Sequence, residues 1–219
     1  MSSLKAVIFD LDGVIVSTDE YHYRGWKRLA DEIGVPFDRE KNHRLRGISR
    51  MDSLLAMLPE NHGYSPMQLE ELAARKNEYY QEMIGQITPK DMLPGAMRML
   101  DALDAKRIRK ALASASRNAV TVLKLLKVEN RFDTIVTGHD FERSKPAPDI
   151  FLTAAKRLGV VPAHCLVFED ARSGVQAARA ADMAVVGIGK AVDLPEADRV
   201  VASLAEISVA ELREIVEGR

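Results

Sequence analysis

The stretch that decides the fold is KAVIFDLDGV, which runs from Lys5 to Val14. A short apolar run, Ala6 to Phe9, stops abruptly at Asp10, and Asp12 and Gly13 follow. A run this short, rich in branched and aromatic side chains, predicts a strand buried on both faces of a sheet. Ligands of open α/β sheets bind at the carboxyl ends of the strands, so two carboxylates there indicate a cation site. The other interpretation is a simple Asp-Gly turn, and the motif alone favours neither.

After this strand, the chain divides into a helical stretch and an alternating stretch. Between about residues 16 and 87, apolar residues recur at helical spacing and no run predicts a strand. From Pro94 onwards, segments that predict strands alternate with helical patterns. Such alternation predicts a parallel sheet with helices on both faces. We therefore expect an α/β core of residues 1–16 and 89–219, with an all-helical cap of residues 17–88 inserted after the first strand.

Composition excludes several classes of function. The chain has 219 residues, 47% of them hydrophobic, which is enough for a sizeable core. Its 31 Lys and Arg and 32 Asp and Glu give a net charge of -1, so we expect no nucleic acid and no membrane as partner. No apolar run approaches the roughly 20 residues that span a bilayer. The single cysteine, Cys165, lies in an apolar run, where we expect a buried side chain. We expect a cytoplasmic monomer without disulfides.

Three later segments also end a predicted strand in polar residues. The run 114–118 places hydroxyl groups between a strand and a helix, which suits a phosphate, although helix capping by Ser116 explains the same residues. Lys145 lies in a loop that two prolines restrict, where a lysine is otherwise a solvated charge. Glu169 and Asp170 end another strand, and acidic residues also favour a helix N-terminus. With the first strand, these ends supply the groups that phosphoryl transfer to an aspartate needs.

In order and spacing, these segments resemble the haloacid dehalogenase-type phosphotransferases. The resemblance covers nearly the whole chain and rests on DLDGV at 10–14, Ser114, Lys145 with Pro146, and Glu169 with Asp170. It implies a Rossmann-like core with a helical cap, and Mg²⁺ as the cofactor. By this resemblance, Asp10 is the nucleophile that becomes an aspartyl phosphate, and Asp12 is the general acid and base. The implied metal ligands are Asp10, the main-chain carbonyl of Asp12, Glu169 and Asp170.

Within the cap, the sequence resembles the β-phosphoglucomutase branch of this family. The matching stretches are EYH at 20–22, WK at 26–27, LRGISRMDSL at 45–54 and RKN at 75–77. The resemblance implies interconversion of β-D-glucose 1-phosphate and glucose 6-phosphate through β-glucose 1,6-bisphosphate. Arg117 departs from the lysine that is more usual there, but it keeps the charge. The implied substrate-binding and phosphate-binding residues are His22, Trp26, Gly47, Ser49, Arg50, Ser53, Lys76, Ser114, Ala115, Ser116, Asn118 and Lys145.

Some of these cap residues also have a simpler interpretation. Arg50 is expected to bind the distal phosphate through its guanidinium, but without the resemblance a solvated helix charge is the better explanation. Trp26 is otherwise a core residue of a helix, and His22 is otherwise an ordinary surface residue. With Lys76, His22 is expected to keep Asp12 aligned when the cap closes. For the whole chain, the alternative is a sugar-phosphate phosphatase on the same scaffold, because a fold does not fix a function.

Overall fold

Six parallel strands form the centre of the molecule in a computed structural model that describes residues 3–219. Met1 and Ser2, with which the expected core begins, lie outside the described residues. The strands are β1 (Ala6–Phe9), β2 (Arg109–Ala113), β3 (Thr134–Val136), β4 (Cys165–Glu169), β5 (Ala184–Ile188) and β6 (Arg199–Val201). They pair in the order β3-β2-β1-β4-β5-β6, and every pair is parallel. The expected parallel sheet is therefore confirmed, with the first strand near its middle.

Both faces of β1 are buried, as its continuous apolar run predicts. Val7 and Phe9 pack in the hydrophobic cluster on one side of the sheet, and Ala6 and Ile8 pack in the cluster on the other side. All four side chains are fully excluded from solvent. Because successive side chains of a strand point to opposite faces, a parallel strand covered on both sides needs apolar residues throughout.

The register of the sheet brings the polar strand ends to one level. Phe9, the last residue of β1, pairs with Leu112 of β2 and with Phe168 of β4. The residues that follow Phe9, Leu112 and Phe168 therefore lie side by side at the carboxyl edge of the sheet. Asp10 and Glu169 are next to each other at this edge, and the β2 segment continues into the loop at residue 114. The pairing of β1, β2 and β4 alone therefore brings the polar segments after these three strands together.

The described residues form nine α-helices, and none of them is long and apolar enough to cross a bilayer. They are α1 (Asp19–Glu32), α2 (Arg39–Arg44), α3 (Arg50–Met57), α4 (Pro66–Ile84), α5 (Ala96–Ala105), α6 (Ala119–Leu125), α7 (Asp149–Leu158), α8 (Arg172–Ala180) and α9 (Val209–Glu217). Helix α4 begins where Ser65 and Pro66 predict it, because Ser65 and Gln68 form a capping box there. Helix α9 begins after Ser208, which caps it in the same way.

Helices α1 to α4 have a hydrophobic cluster of their own. It includes Trp26, Leu29, Leu54 and Leu72, and it is separate from the two clusters of the sheet. Val16 bridges to Met92 just before the chain enters α1, so the two connections to these helices lie next to each other. These features support the division into a core (1–16 and 89–219) and a cap (17–88), which we retain as a proposal.

Cys165 opens β4 in the middle of the molecule. Its side chain is fully buried, and burial raises the pKa of its thiol to about 12. A thiol with so high a pKa is not a nucleophile at neutral pH, because the thiolate is the reactive form. Cys165 therefore fills space in the sheet, as its apolar neighbours in the sequence predict.

Candidate active site

A buried lysine joins two of the strand-end carboxylates. The Nζ atom of Lys145 donates to Oδ1 of Asp10 over 2.6 Å and also bonds to Oε1 of Glu169. These three side chains are at most 8% exposed. Burial raises the pKa of Asp10 to about 7, although the charge of Lys145 opposes the rise. Burial would lower the pKa of Lys145, but the two carboxylates raise it above its usual value, so Lys145 stays an ammonium group.

The second oxygen of Glu169 is also engaged. Its Oε2 atom accepts the backbone N–H groups of Asp170 at 2.9 Å and Ala171 at 3.0 Å. Gly174 packs directly against this carboxylate, since a Cβ atom there would lie 1.9 Å from Oε1 of Glu169. Glu169 is therefore fixed on both sides, and it in turn fixes the head group of Lys145.

Asp170 faces the cap and forms an ion pair with it. Its Oδ2 atom accepts from Nη2 of Arg46, which lies between α2 and α3. On the other side, Gly13 leaves room for this carboxylate, since a Cβ atom at that position would lie 1.8 Å from Oδ2. Burial raises the pKa of Asp170 well above its usual range. The charge of Arg46 opposes this effect, while the neighbouring carboxylates add to it.

The donor chemistry of this corner fits Mg²⁺, which prefers oxygen ligands. The predicted ligands that meet here are Asp10, Asp12, Glu169 and Asp170. Within residues 3–219, however, no group of three or more His, Cys, Asp or Glu side chains is arranged to hold a metal ion. Lys145 holds Asp10 and Glu169. Arg46 holds Asp170. The carboxylates of Asp10, Glu169 and Asp170 are thus directed at these two cations, and the ligand set stays a prediction.

Asp12 is oriented by a chain of hydroxyl groups. Thr18 donates to Oδ1 of Asp12 both through its backbone N–H, at 3.2 Å, and through its hydroxyl. Tyr80 of α4 donates its own hydroxyl to Oγ1 of Thr18 over 3.1 Å, which leaves the Thr18 proton free for Asp12. Burial raises the pKa of Asp12, and the two bonds from Thr18 oppose this rise. A carboxyl group with a raised pKa that is held in one orientation suits general acid–base catalysis.

The cap contributes cations that form no ion pair with a carboxylate in the described part of the chain. Nζ of Lys76 lies 2.8 Å from Nδ1 of His22 and within 4.9 Å of the ring centres of Trp26 and Tyr80. Burial, together with the charge of Arg50, lowers the pKa of Lys76 to about 7. Burial and the charge of Lys76 lower the pKa of His22 well below its usual value, so the imidazole is neutral. His22 and Lys76 therefore contact each other, and their expected role in keeping Asp12 aligned stays a prediction.

A second cap–core link is made by side-chain amides. Nδ2 of Asn118 donates to Oδ1 of Asn77 over 2.8 Å, and Nε2 of Gln81 donates to Oδ1 of Asn118 over 3.0 Å. Both Asn77 and Gln81 belong to α4 of the cap. Nearby, burial and the charge of Arg117 lower the pKa of Arg50. Two guanidinium groups from different parts of the chain therefore face the same space.

A cavity of about 100 Å³ lies between cap and core, and most of the predicted site residues line it. Those in its lining are Asp10, Asp12, His22, Trp26, Gly47, Arg50, Ser53, Lys76, Ser114, Ala115, Ser116, Asn118 and Asp170. Lys145 and Glu169 are absent from the lining but support Asp10, as described above. Ser49 is also absent, because it caps α3 by accepting the backbone N–H of Asp52 at 3.2 Å. A contact between Ser49 and substrate stays a prediction.

Sequence reasoning missed several residues that complete this site. Arg46, Asn77 and Arg117 line the cavity, and Thr18 and Tyr80 orient Asp12. Arg46, Asn77 and Arg117 lie in or next to stretches that carry the family resemblance. However, no sequence pattern tells whether a charge or an amide on a loop or helix contacts the site or faces solvent. The hydroxyl chain joins residues 62 positions apart, so only the fold reveals it.

Comparison with known proteins shows similarity along the whole chain. Residues 4–182 match the model of the haloacid dehalogenase-like hydrolases. The chain is 44% identical over 214 residues to the β-phosphoglucomutase of Bacillus subtilis (strain 168), covering 96% of this chain and 95% of that protein. It is 32% identical over 180 residues to a phosphorylated carbohydrates phosphatase of Thermotoga maritima, covering 81% and 82%. The crystal structure of a β-phosphoglucomutase from Clostridium difficile has a TM-score of 0.95 at 38% identity, with 98% of each chain covered.

Proposed function

The chain belongs to the haloacid dehalogenase-like hydrolase family, and from this premise we propose that it is a β-phosphoglucomutase. It would interconvert β-D-glucose 1-phosphate and D-glucose 6-phosphate. The observation that carries this proposal is that Asp10, held from behind by buried Lys145, lines a cavity whose other side holds Arg50 and Lys76. The cations of the cap side are placed to bind a second phosphate while the first one reacts at Asp10.

In the proposed reaction, a carboxylate oxygen of Asp10 attacks phosphorus of β-glucose 1,6-bisphosphate. The bond between phosphorus and the sugar oxygen breaks, and an aspartyl phosphate and a glucose monophosphate form. Lys145, the hydroxyl of Ser114 and the backbone N–H of Ala115 bind the transferring phosphoryl oxygens. Mg²⁺, bound by Asp10, the carbonyl of Asp12, Glu169 and Asp170, would offset the repulsion between the two anions when it is present.

Asp12 supplies and removes the proton in this proposal. It protonates the sugar oxygen that leaves phosphorus, and in the reverse transfer it takes the proton of the attacking hydroxyl. Thr18 keeps the carboxyl group in one orientation, and Tyr80 keeps the Thr18 proton directed at it. Between the two transfers, the sugar must turn over so that its other oxygen faces Asp10.

The cap has two tasks that follow from this sequence of steps. Arg50 binds the phosphate that is not reacting, because its guanidinium offers two parallel donors to a phosphate. The amide link between Asn77 and Asn118 helps to hold the cap against the core. A closed cap keeps water away from the aspartyl phosphate, which would otherwise be hydrolysed.

The experiment that tests the proposal supplies β-glucose 1-phosphate with Mg²⁺ and a trace of the bisphosphate, and follows glucose 6-phosphate and free phosphate together. The α anomer and an Asp10→Asn variant serve as controls. Glucose 6-phosphate formed from the β anomer, with little phosphate release, supports the proposal. The similarity to a phosphatase makes the second candidate specific: phosphate release without isomerisation would establish a sugar-phosphate phosphatase and contradict the mutase. The cytoplasm and the monomeric state stay predictions from the sequence.

A further inference from the structure

The ion pair between Arg46 and Asp170 joins the cap to a predicted metal ligand. The two residues are 124 positions apart in the sequence, and the carboxylate side chain is 8% exposed while the guanidinium side chain is 31% exposed. Neither the resemblance nor the proposed chemistry gives Arg46 a role. While the Arg46 guanidinium bonds to Oδ2 of Asp170, that oxygen is not available as a metal ligand.

The backbone around Arg46 is docked as closely as its side chain. The hydroxyl of Ser173 donates to the carbonyl oxygen of Arg46 over 3.2 Å. The next residue, Gly47, has a φ of +78°, and a Cβ atom there would lie 2.7 Å from Oγ of Ser173 and 3.2 Å from Cβ of Ala171. A loop in such contact positions the Arg46 side chain over Asp170, and the pair in turn helps to hold the loop.

The charges of the corner are only partly balanced by these contacts. The four carboxylates, residues 10, 12, 169 and 170, are opposed by two cations, Lys145 and Arg46. Lys145 is buried on the inner side and fixed by two carboxylates, so it cannot leave without unpairing both of them. Arg46 is bound to a single carboxylate, and a part of it is exposed to solvent, so it is the cation that can move away.

We propose that Arg46 is an internal counter-ion that competes with the divalent metal for Asp170, so that metal binding and docking of loop 45–47 on the core oppose each other. The metal-free protein then keeps its cap closed by this pair. With the metal bound, the carboxylate is no longer available to Arg46 and the loop is freer to admit a substrate. By thermodynamic reciprocity, the factor by which the bound metal weakens docking of the loop is also the factor by which the docked loop weakens metal binding. The inference rests on the metal site of the proposed function.

The test is a calorimetric titration of the full chain with Mg²⁺ in the absence of any sugar phosphate. The main variant is Arg46→Gln, which keeps a long polar side chain but removes the charge. Because a competing charge-assisted bond is lost, we expect Mg²⁺ to bind roughly tenfold more tightly. Arg44→Gln is the matched control, since Arg44 is an exposed neighbour that pairs with Glu40 of its own helix. It should bind Mg²⁺ as the wild type does, and Arg46→Lys should stay within a few-fold of it.

Hydrogen exchange of segment 45–50 gives a second readout that does not depend on activity. Mg²⁺ should speed exchange in the wild type, whereas in Arg46→Gln exchange should be fast already without metal. Unchanged or weaker Mg²⁺ binding by a folded Arg46→Gln would overturn the inference while leaving the proposed function intact. A wild type that binds no Mg²⁺ would overturn both. Metal binding that tightens as expected in a protein that forms no glucose 6-phosphate would contradict the proposed function alone.

Discussion

The two walls of the cavity carry opposite and differently balanced charges. The core wall, formed by residues 10–13, 114–118 and 170, holds carboxylates that already face a partner, as Asp10 faces Lys145. The cap wall, formed by the lining residues between 19 and 77, holds Arg50 and Lys76, which pair with no carboxylate in residues 3–219. The core wall is therefore preorganised by contacts within the protein. The cap wall keeps positive charge that a dianionic ligand can neutralise.

This difference also explains the directions of the pKa shifts. On the core wall, burial raises the pKa values of Asp12 and Asp170, and the charge of Asp19 from the cap adds to the effect on Asp12. On the cap wall, burial lowers the pKa values of Arg50 and Lys76, and the charges of Arg117 on Arg50 and of Arg50 on Lys76 add to the effect. Burial is the first cause on both walls, and an anion bound between Arg50 and Arg117 would relieve the repulsion between these two cations. Such perturbed groups are typical of functional sites.

The largest expected effect comes from breaking the core wall at its acid–base group. Asp12→Asn keeps the shape of the side chain but removes its ability to exchange a proton. We expect turnover to fall by about 10²–10⁴-fold, the usual contribution of a general acid or base. Asp31→Asn, on the exposed face of α1, is the control and should keep full turnover. Mg²⁺ binding, measured by calorimetry, should be largely intact, and near-normal turnover would refute the role of Asp12.

The next effect concerns stability and tests whether the core wall depends on its buried cation. Lys145→Met leaves Asp10 and Glu169 without a partner in a buried site, and we expect a loss of about 3–5 kcal/mol in the free energy of unfolding. The control is Lys110→Met. Lys110 is also buried, but its partner Asp104 is 47% exposed and can be solvated. Urea unfolding measures the loss for both variants. Equal losses would show that the pairing of Lys145 with Asp10 and Glu169 stabilises the protein no more than the pair of Lys110 and Asp104.

A smaller effect is expected when the cap wall loses its phosphate-binding cation. Arg50→Ala should weaken the step that uses the bisphosphate by about 1.5–3 kcal/mol, the value of hydrogen bonds to a charged group. Phosphorylation of Asp10 by a small phosphate donor should change much less, because that step uses the core wall. Single-turnover kinetics separates the two, with the exposed Arg75→Ala as control. An equal loss in both steps would count against a distal-phosphate role.

The smallest expected effect is the contribution of Lys76 to the pH dependence of the free energy of unfolding. Its pKa is about 7 in the folded protein and 10.5 in the unfolded chain, so between these values the unfolded chain binds more protons. Stability should therefore rise with pH across this window, with a slope of up to about 1.4 kcal/mol per pH unit. The groups that face Lys76 are His22, Arg50 and Asp12.

Lys76→Met should remove this contribution, which urea unfolding between pH 7 and 9 can measure. Lys27→Met changes an exposed lysine of α1 and should keep the slope of the wild type. If the slopes of the wild type and Lys76→Met coincide, Lys76 carries its charge in the folded protein throughout this range.

The core wall could be predicted from the sequence, whereas the cap wall could be predicted only in part. Asp10 follows a fully apolar strand, and such a strand must lie inside a parallel sheet. The position of the Asp10 carboxylate at the carboxyl edge therefore follows from the local sequence pattern and the register of the strands. His22 and Lys76 were expected to align Asp12; they contact each other, but the hydrogen bonds to Asp12 come from Thr18, which the sequence did not indicate. Arg46 and Gln81 were missed, because which face of a helix or loop meets the core depends on how the cap is docked.

Ser49 shows why even a familiar motif does not fix every contact. Ser49 directly precedes α3 and caps that helix by accepting the backbone N–H of Asp52. Its hydroxyl also donates to Oδ2 of Asp52 over 2.6 Å, so the local structure already uses the group that was expected to meet a sugar. A short polar side chain near a helix end can serve the helix or a ligand, and the sequence alone does not distinguish the two.

The placement of Cys165 gives experimenters a built-in reporter. The protein has one thiol, and it lies on the strand next to β1, fully buried. A thiol-specific reagent can modify it only after the packing around the start of β4 has opened. The rate of labelling under native conditions therefore reads out opening at this end of the sheet, while motions confined to the cap leave it unchanged.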